Sequence, residues 1–175
     1  MLIRAYGEFW NPDAIHWGGR GPGNRGRLEG RIRKRAGHPS WSAVDVDVWD
    51  QTGIYVLYEN FAPVYIGQAR QSLGQRLKDH LTDRHAGRWD MFSWFGVRVV
   101  KQDGTMRNAP LGRGVDVDSL IKTLEALGIT MLDPPLNRRH EAIPGADLVE
   151  QRSGDRPSTI RHYLERILER LEAPP

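Results

Sequence analysis

Residues 53 to 67 read GIYVLYENFAPVYIG and have the pattern of a β-hairpin. Both flanks are rich in β-branched and aromatic residues, which favour strands. The central ENFAP, residues 59 to 63, is typical of a turn region. A turn centred on Asn60 would place Tyr55 and Tyr65 opposite each other on one face of the sheet. A register slip of one residue would separate them, so the register decides whether the two phenols can share a site.

A short amphipathic helix is predicted after the hairpin. Ser72 and Gln75 have the spacing of a capping box, so Ser72 is predicted to cap a helix that runs to about Asp83. Arg76 and His80 lie one helical turn apart, and each precedes a leucine of the predicted buried stripe. Both side chains are therefore predicted to point over the sheet from the border of the packed face. The stripe itself consists of Leu73, Leu77 and Leu81.

A third strand and a second helix complete the predicted fold. Residues 91 to 100 predict the strand, and residues 101 to 115 predict a loop. The helix is predicted to begin near Asp116, because acids suit a helix N-terminus, and to stop at Gly128. Glu125 lies at the border of its apolar stripe. The predicted fold class is mixed α/β (α+β), with a small antiparallel three-stranded sheet flanked by helices.

The first 49 residues differ in composition from the rest and are predicted to be an N-terminal extension. Leu2 to Phe9 has the pattern of a strand. Residues 18 to 37 are rich in glycine and arginine and are predicted to form a mobile loop or arm. Its basic side chains are candidates to bind the phosphate backbone of DNA, and the alternative is a solvated loop. These residues are Arg20, Arg25, Arg27, Arg31, Arg33, Lys34 and Arg35.

The chain is predicted to divide into three parts: residues 1–49, a domain at 50–140, and a linker with an amphipathic helix at 141–175. The helix is predicted to begin at Pro157, with its apolar residues on one face. Two alternatives are left open for that face. It packs on the domain, or it forms an interface with a second copy of the chain or another protein.

Composition indicates a soluble protein with a basic character. The 175 residues carry a formal net charge of +3, and arginine greatly outnumbers lysine, which suits bidentate contact with phosphate. No apolar run approaches the roughly 18 residues that a membrane helix needs, and the N-terminus lacks the layout of a signal peptide. Cysteine is absent, which excludes disulfides and thiolate metal sites and fits the predicted cytoplasmic location.

Several of these residues suit the hydrolysis of a phosphodiester, which needs a base for the water, stabilisation of charge at phosphorus and help for the leaving oxygen. Arg76 is the candidate for the phosphate charge. His80 is a candidate to accept a hydrogen bond or position the water. Glu125 is the candidate to bind Mg²⁺, which prefers oxygen ligands and keeps several waters. Tyrosine is the unusual member, because ionising a free phenol at pH 7 costs about 4 kcal/mol.

The chain resembles the GIY-YIG endonuclease family, and most of all its small members related to restriction enzymes. The resemblance covers residues 50 to 140. It is carried by the two tripeptides at 53–55 and 65–67, with nine residues between them. The residues that follow in the family's order are Arg76, His80, Glu125 and Asn137.

This resemblance implies a catalytic site and a substrate. In it Tyr55 is the general base, and Glu125 binds a Mg²⁺ or Mn²⁺ ion. The other implied site residues are Tyr65, Arg76, His80 and Asn137. The implied fold is a compact GIY-YIG-like domain, the implied substrate is DNA, and the implied setting is restriction, anti-phage defence or mobile-element biology.

Two other functions remain alternatives at this point: a nuclease toxin or effector, and a nucleic-acid-binding module without catalysis. Taken singly, each candidate residue also has an ordinary structural explanation, such as strand packing for a tyrosine or a surface charge for an arginine. The remaining histidines show no spacing typical of metal ligands. They are His16, His38, His85, His140 and His162.

Overall fold

The computed structural model describes residues 2–19, 24–32, 43–108 and 116–138, and these have a mixed α+β fold. Within them the chain forms eight strands, two α-helices and a 3₁₀ turn at Pro12–Ala14. In chain order the elements are β1 Ala5–Trp10, β2 Glu29–Ile32, β3 Val44–Asp47, β4 Gly53–Glu59, β5 Ala62–Ala69, α1 Leu73–Asp79, β6 Met91–Gly96, β7 Val99–Val100, β8 Met106–Arg107 and α2 Val117–Leu132.

The main sheet has four antiparallel strands, in the order β1-β6-β4-β5, so the predicted three-stranded sheet is wrong by one strand. The additional strand is β1, which pairs along β6 with Tyr6 opposite Phe95. The prediction of a strand near Leu2 to Phe9 is confirmed. Its partner lies about 90 residues away, and local sequence patterns carry no information about such distant pairing.

The hairpin is confirmed, and a tight turn with a bulge sets its register. Asn60 and Phe61 both have positive φ, +50° and +65°, as a two-residue type I′ turn requires. Glu59 pairs with Ala62 across this turn, but the pairing shifts by one residue between Leu57 and Tyr58. This shift is a β-bulge, and it changes which face the residues beyond it occupy.

The bulge places Tyr55 and Tyr65 on the same face of the sheet. Tyr55 pairs with Gly67 and Tyr65 pairs with Leu57. The two tyrosines are therefore diagonal neighbours, and the expectation that they lie directly opposite each other is wrong. Without the shift Tyr55 would pair with Ile66, and Tyr65 would point to the other face.

Helix α1 is capped as predicted but is shorter. The Ser72 hydroxyl accepts the Gln75 N–H at 3.2 Å, which confirms the N-cap. The Gln75 amide donates to Asp79 instead of reaching back to complete the capping box. The helix ends at Asp79 with His80 as its C-cap, before the predicted end near Asp83. Leu81 consequently leaves the predicted buried stripe and is exposed.

Helix α2 begins as predicted and runs past its predicted stop. Asp116 is the N-cap and accepts the Ser119 N–H. Gly128 lies inside the helix, and a Cβ at this position would approach Ile66 of β5 to 3.0 Å. The glycine therefore lets α2 pack closely on the sheet. The helix continues to Leu132, and its C-cap Asp133 has a left-handed φ of +42°.

The two helices lie on opposite faces of the sheet. The α1 face holds the larger core, with Leu73 and Leu77 packed among residues of β4, β5 and β6. The α2 face has a smaller cluster of Val56, Ile66 and Ile129. Strand β5 is an edge strand, so its outer edge borders both faces.

Part of the predicted N-terminal extension belongs to this core. Strands β2 and β3 pair with each other, and the larger cluster includes Leu28, Val46 and Val48. Residues 24–32 therefore do not form the predicted mobile arm, because Leu28 is fully buried and residues 29–32 are a strand. The rest of that arm, residues 20–23 and 33–37, lies outside the described residues. So do the linker and helix predicted at 141–175.

Among the described residues, neither helix has the length and apolar character needed to cross a bilayer.

Candidate active site

Four aromatic side chains form a buried cluster between the hairpin and α1. Tyr55 and Tyr65 come from β4 and β5, His80 from the end of α1, and His85 from the segment that follows it. Ring centroids are 6.1 Å apart for the two tyrosines, 5.6 Å for Tyr55 and His80, and 4.4 Å for Tyr65 and His85. All four side chains are less than 10% exposed. The prediction that the two tyrosines and His80 meet over one face of the sheet is confirmed.

Gly67, the last residue of the second tripeptide, makes room for the two phenols. A Cβ at this position would clash with the Tyr55 hydroxyl and with the ring of Tyr65. Any larger residue here would therefore displace the Tyr55 hydroxyl.

A chain of hydrogen bonds runs from Tyr55 through His80 to Asp83. The Tyr55 hydroxyl lies 2.7 Å from His80 Nε2, and His80 Nδ1 lies 2.7 Å from Asp83 Oδ2. The other carboxylate oxygen of Asp83 accepts the backbone N–H of His85 at 2.8 Å. Because an ionised carboxylate only accepts hydrogen bonds, the ring proton of neutral His80 is assigned to Nδ1. Nε2 then has the lone pair that accepts the Tyr55 hydroxyl.

Burial shifts the pKa values in this cluster. Burial and then the neighbouring Tyr65 raise the pKa of Tyr55 well above 10, although the Arg76 guanidinium acts in the opposite direction. Burial lowers the pKa of His80 below 6.5, although Asp83 acts in the opposite direction. At neutral pH both groups are therefore uncharged.

Arg76 lies at the exposed border of the cluster. It is on α1, one turn before His80, and its charge acts on both phenols. It also lines an open groove of about 470 Å³, together with residues 68–72 before the helix and with Gln75 and Asp79 on it. An anionic group in this groove would meet a guanidinium next to the two tyrosines. The predicted position of Arg76 beside the tyrosines is thus confirmed.

Glu125 lies in a second cavity, which Tyr65 connects to the aromatic cluster. The cavity has a volume of about 390 Å³, and Tyr65, Gln68, Arg84 and Glu125 are among its lining residues. Glu125 Oε2 accepts the Gln68 amide at 2.7 Å. Helix α2 is on the face opposite to α1, and residues from both faces line this cavity, which therefore lies at the edge of β5. Tyr65 lines the cavity and also contacts Tyr55 and His80.

Asn137 also lines the Glu125 cavity, but its side chain is bound to the backbone of β5. The Asn137 Oδ1 accepts the Ile66 N–H, and its Nδ2 donates to the Ile66 carbonyl, both at 2.8 Å. Asn137 thus satisfies the outward-facing backbone groups of an edge strand, as a further strand would. Its position at the site agrees with the prediction, and its contacts are those of a structural residue.

We expect Asn137→Ala to lower the free energy of unfolding by about 1–3 kcal/mol, because it leaves two backbone groups of β5 without their partner. Urea unfolding followed by circular dichroism measures this change, with exposed Arg138→Ala as the control. Unchanged stability together with lost activity would contradict the structural role and favour a direct part for Asn137 in the chemistry.

His80, Asp83 and His85 also have the spacing of a metal-binding group, since one ligand atom from each lies within 4.8 Å of the others. However, a cation would have to break the His80–Asp83 hydrogen bond. Arg84 Nε donates to His85 Nε2 at 3.0 Å, so the proton of neutral His85 is on Nδ1, which then offers no lone pair. Burial and then His80 lower the pKa of His85 to about 4, which keeps it neutral at pH 7. These contacts favour a hydrogen-bonded relay over metal ligation.

Asp83, His85 and Gln68 are site residues that the sequence analysis missed. The sequence prediction gives His85 no role, yet His80, Asp83 and His85 form the pattern His-x-x-Asp-x-His. This pattern could have indicated from the sequence that the three side chains lie together. His80 and Asp83 have the i, i+3 spacing of neighbours on a helix, whereas His85 comes close to His80 because the chain leaves the helix at His80.

The basic residues predicted to bind DNA are only partly within the described chain. Arg25 pairs with Asp47 and Asp50, and Arg31 pairs with Asp45. Arg27 pairs with Glu29. Contact of these arginines with DNA remains a prediction, as it does for Arg20, Arg33, Lys34 and Arg35, which lie outside the described residues.

Comparison with known proteins returned no match from family models, from curated proteins or from solved structures.

Proposed function

We propose that this protein is a metal-dependent DNA endonuclease of the GIY-YIG type, which hydrolyses phosphodiester bonds. The observation that supports it most directly is the Tyr55–His80 hydrogen bond, with Tyr65 and the Arg76 guanidinium beside it. A buried phenol held by a neutral imidazole is prepared for proton transfer, and the adjacent arginine suits a phosphate.

In this proposal the residues divide the work of hydrolysis. Tyr55 takes a proton from the attacking water. Arg76 neutralises charge that develops on the phosphate oxygens, which is the largest electrostatic requirement of the reaction. Tyr65 packs between Tyr55 and the Glu125 cavity and holds the two parts of the site in register.

Glu125 is the residue that would hold the metal. Its donor chemistry fits Mg²⁺ or Mn²⁺, because it is a half-buried carboxylate on a water-accessible cavity and these ions take oxygen ligands while keeping waters. When bound, such an ion screens the phosphate charge and helps the 3′ oxygen to leave. The Gln68 amide, which donates to Glu125 Oε2, fixes the direction of the carboxylate.

DNA is the proposed substrate, and the basic segment at 18–37 is proposed to add contacts to its phosphate backbone. Restriction or anti-phage defence in the cytoplasm is the proposed setting. A homodimer is proposed for cutting both strands, because one site of this kind cuts one strand, with the 141–175 segment as a candidate interface.

The test is cleavage of supercoiled plasmid by the purified full-length chain with Mg²⁺. We expect nicked or linear DNA, and no product when a chelator removes the metal. Arg76→Ala should reduce the rate about 10²–10³-fold, as the loss of a donor to developing charge does. Arg88→Ala, at an exposed arginine after α1, should retain activity. Binding of DNA without cleavage would favour the non-catalytic module, and cleavage of RNA alone would favour a toxin.

A further inference from the structure

The proposed mechanism needs an acceptor for the Tyr55 proton. The Tyr55 side chain is fully buried, and its environment disfavours the phenolate. A standing phenolate at neutral pH would cost even more than the roughly 4 kcal/mol of a free phenol. A phenol that acts as a base must therefore give up its own proton as it takes one from water, and a proton acceptor must lie next to its hydroxyl.

We propose that His80 accepts the Tyr55 proton and that Asp83 is the positioning residue that holds His80 in the tautomer able to accept it. The hydrogen bonds at both ring nitrogens of His80, each 2.7 Å long, carry this inference. It rests on the proposed function for its catalytic meaning, but the tautomer of His80 can be measured without DNA.

The proton transfers balance in a single step. The Tyr55 Oη–H bond breaks and its proton bonds to His80 Nε2, while the phenol oxygen takes a proton from the attacking water. The water oxygen bonds to phosphorus, and the bond from phosphorus to the 3′ oxygen breaks. Solvent protonates the leaving oxygen, and His80 later returns its proton to solvent. The Asp83 carboxylate, 2.7 Å from Nδ1, stabilises the imidazolium that forms in between.

The position of Asp83 is itself fixed by the fold. Its Oδ1 accepts the His85 N–H at 2.8 Å, so the carboxylate is held from both sides. His80 is fully buried, and Asp83 is partly exposed on its solvent side. This arrangement gives the buried imidazole a carboxylate that remains ionised, because hydrogen bonds from His85 and His80 outweigh partial burial and lower the pKa of Asp83.

The surroundings of His80 set the pH at which it can accept a proton. It must be neutral, so activity should rise with pH as His80 loses its proton. Burial has the largest effect and lowers the pKa of His80; Asp83 raises this pKa, and Arg76 lowers it further. Removing the Asp83 carboxylate should lower the pKa of His80. The rise of the cleavage rate with pH should then occur at lower pH than in the wild type. The groups facing His80 are Tyr55 of β4, Tyr65 of β5, Arg76 and Asp79 of α1, and Asp83 and His85 of the following segment.

The decisive variant is Asp83→Asn, because its amide can donate to Nδ1 and favour the tautomer with the proton on Nε2. We expect kcat to fall about 10²–10⁴-fold with KM changed little, which is the effect of losing one proton-transfer function. Asp83→Glu keeps a carboxylate and should recover part of the rate. Asp118→Asn, an exposed acid on α2, should behave as the wild type.

Nitrogen-15 NMR of the His80 ring measures its tautomer, which would not change if Asp83 had only a structural role. Above neutral pH, the wild type should have a protonated Nδ1 and an unprotonated Nε2, and Asp83→Asn should reverse this. A wild type with the proton on Nε2 overturns the inference, as does a folded Asp83→Asn protein that cuts at the wild-type rate. If the wild type cuts no DNA but has the expected tautomer, the proposed function fails while the assignment of Asp83 stands.

Discussion

Tyr55→Phe is expected to reduce the single-turnover cleavage rate about 10²–10⁴-fold, the usual contribution of a general acid or base. The substitution removes only the hydroxyl that meets His80 at 2.7 Å and leaves the ring in the core. His80 loses a buried partner, so stability should fall by about 1–3 kcal/mol without loss of the fold. DNA affinity, measured by fluorescence anisotropy, should stay within a few-fold of the wild type, because Arg76 and the basic segment are unchanged.

Tyr58→Phe is the matched control for this prediction. Tyr58 is on the same strand, but it packs on the α2 face beside Phe9, with ring centroids 5.0 Å apart. The Tyr58→Phe variant should cut at a rate within a few-fold of the wild type. Should Tyr55→Phe also cut within tenfold of the wild type, Tyr55 is not the base, and a water held directly by His80 becomes the better mechanism.

The sequence was sufficient for features that depend on neighbouring residues. The hairpin, the Ser72 cap and the position of Arg76 beside the tyrosines follow from local pattern, and the structure confirms them. His80, predicted at the border of the packed face, is instead fully buried, and Leu81 after it is exposed. Hydrophobic spacing within ten or twenty residues decides such features because each element must bury one face. The expectation that Tyr55, Tyr65 and His80 meet on one face is confirmed, but the β-bulge that brings Tyr65 to this face does not follow from hydrophobic spacing.

Features that depend on distant contacts or on small shifts in register could not be predicted. The pairing of β1 with β6 joins segments about 90 residues apart. The bulge before Tyr58 moves the pairing by one residue, and Pro63 beside it is typical of bulges and edge strands but does not fix the register. Glycine is typical of helix C-termini, but Gly128 lies inside α2, where it lets the helix approach Ile66 closely. The His80–Asp83 contact has the i, i+3 spacing of helix neighbours, whereas the contact of His85 with His80 arises where the chain leaves the helix.

The arrangement of the site around an edge strand explains why β5 is central to the proposed function. Tyr65 and Gln68 point to opposite faces of β5, toward α1 and α2 respectively. Both nevertheless line the Glu125 cavity, because no further strand pairs with this edge within the described residues. The Leu136 N–H and the Asn137 side chain bond to its backbone instead. A site that spans both faces of a sheet is possible at an edge and would be blocked at an inner strand.

Glu125→Gln is expected to remove metal-dependent cleavage, with a loss of about 10²–10⁴-fold at a fixed Mg²⁺ concentration. A bound metal contributes several kcal/mol to the transition state, and about 1.4 kcal/mol corresponds to a factor of ten. The substitution keeps the shape of the side chain and an oxygen that can accept the Gln68 amide, so it tests the charge. Calorimetric titration with Mn²⁺ should show binding to the wild type and none to the variant. Glu59→Gln, an exposed glutamate at the end of β4, is the control.

The combined result of the two substitutions decides whether the two faces of β5 form one site. If Tyr55→Phe and Glu125→Gln both abolish cleavage and leave DNA binding intact, the phenol on the α1 face and the carboxylate on the α2 side act on the same phosphate, with Tyr65 between them. If Glu125→Gln cuts normally while Tyr55→Phe does not, the chemistry is confined to the α1 face. The metal, if one is needed, must then be held by a different residue, and the Glu125 cavity has another role.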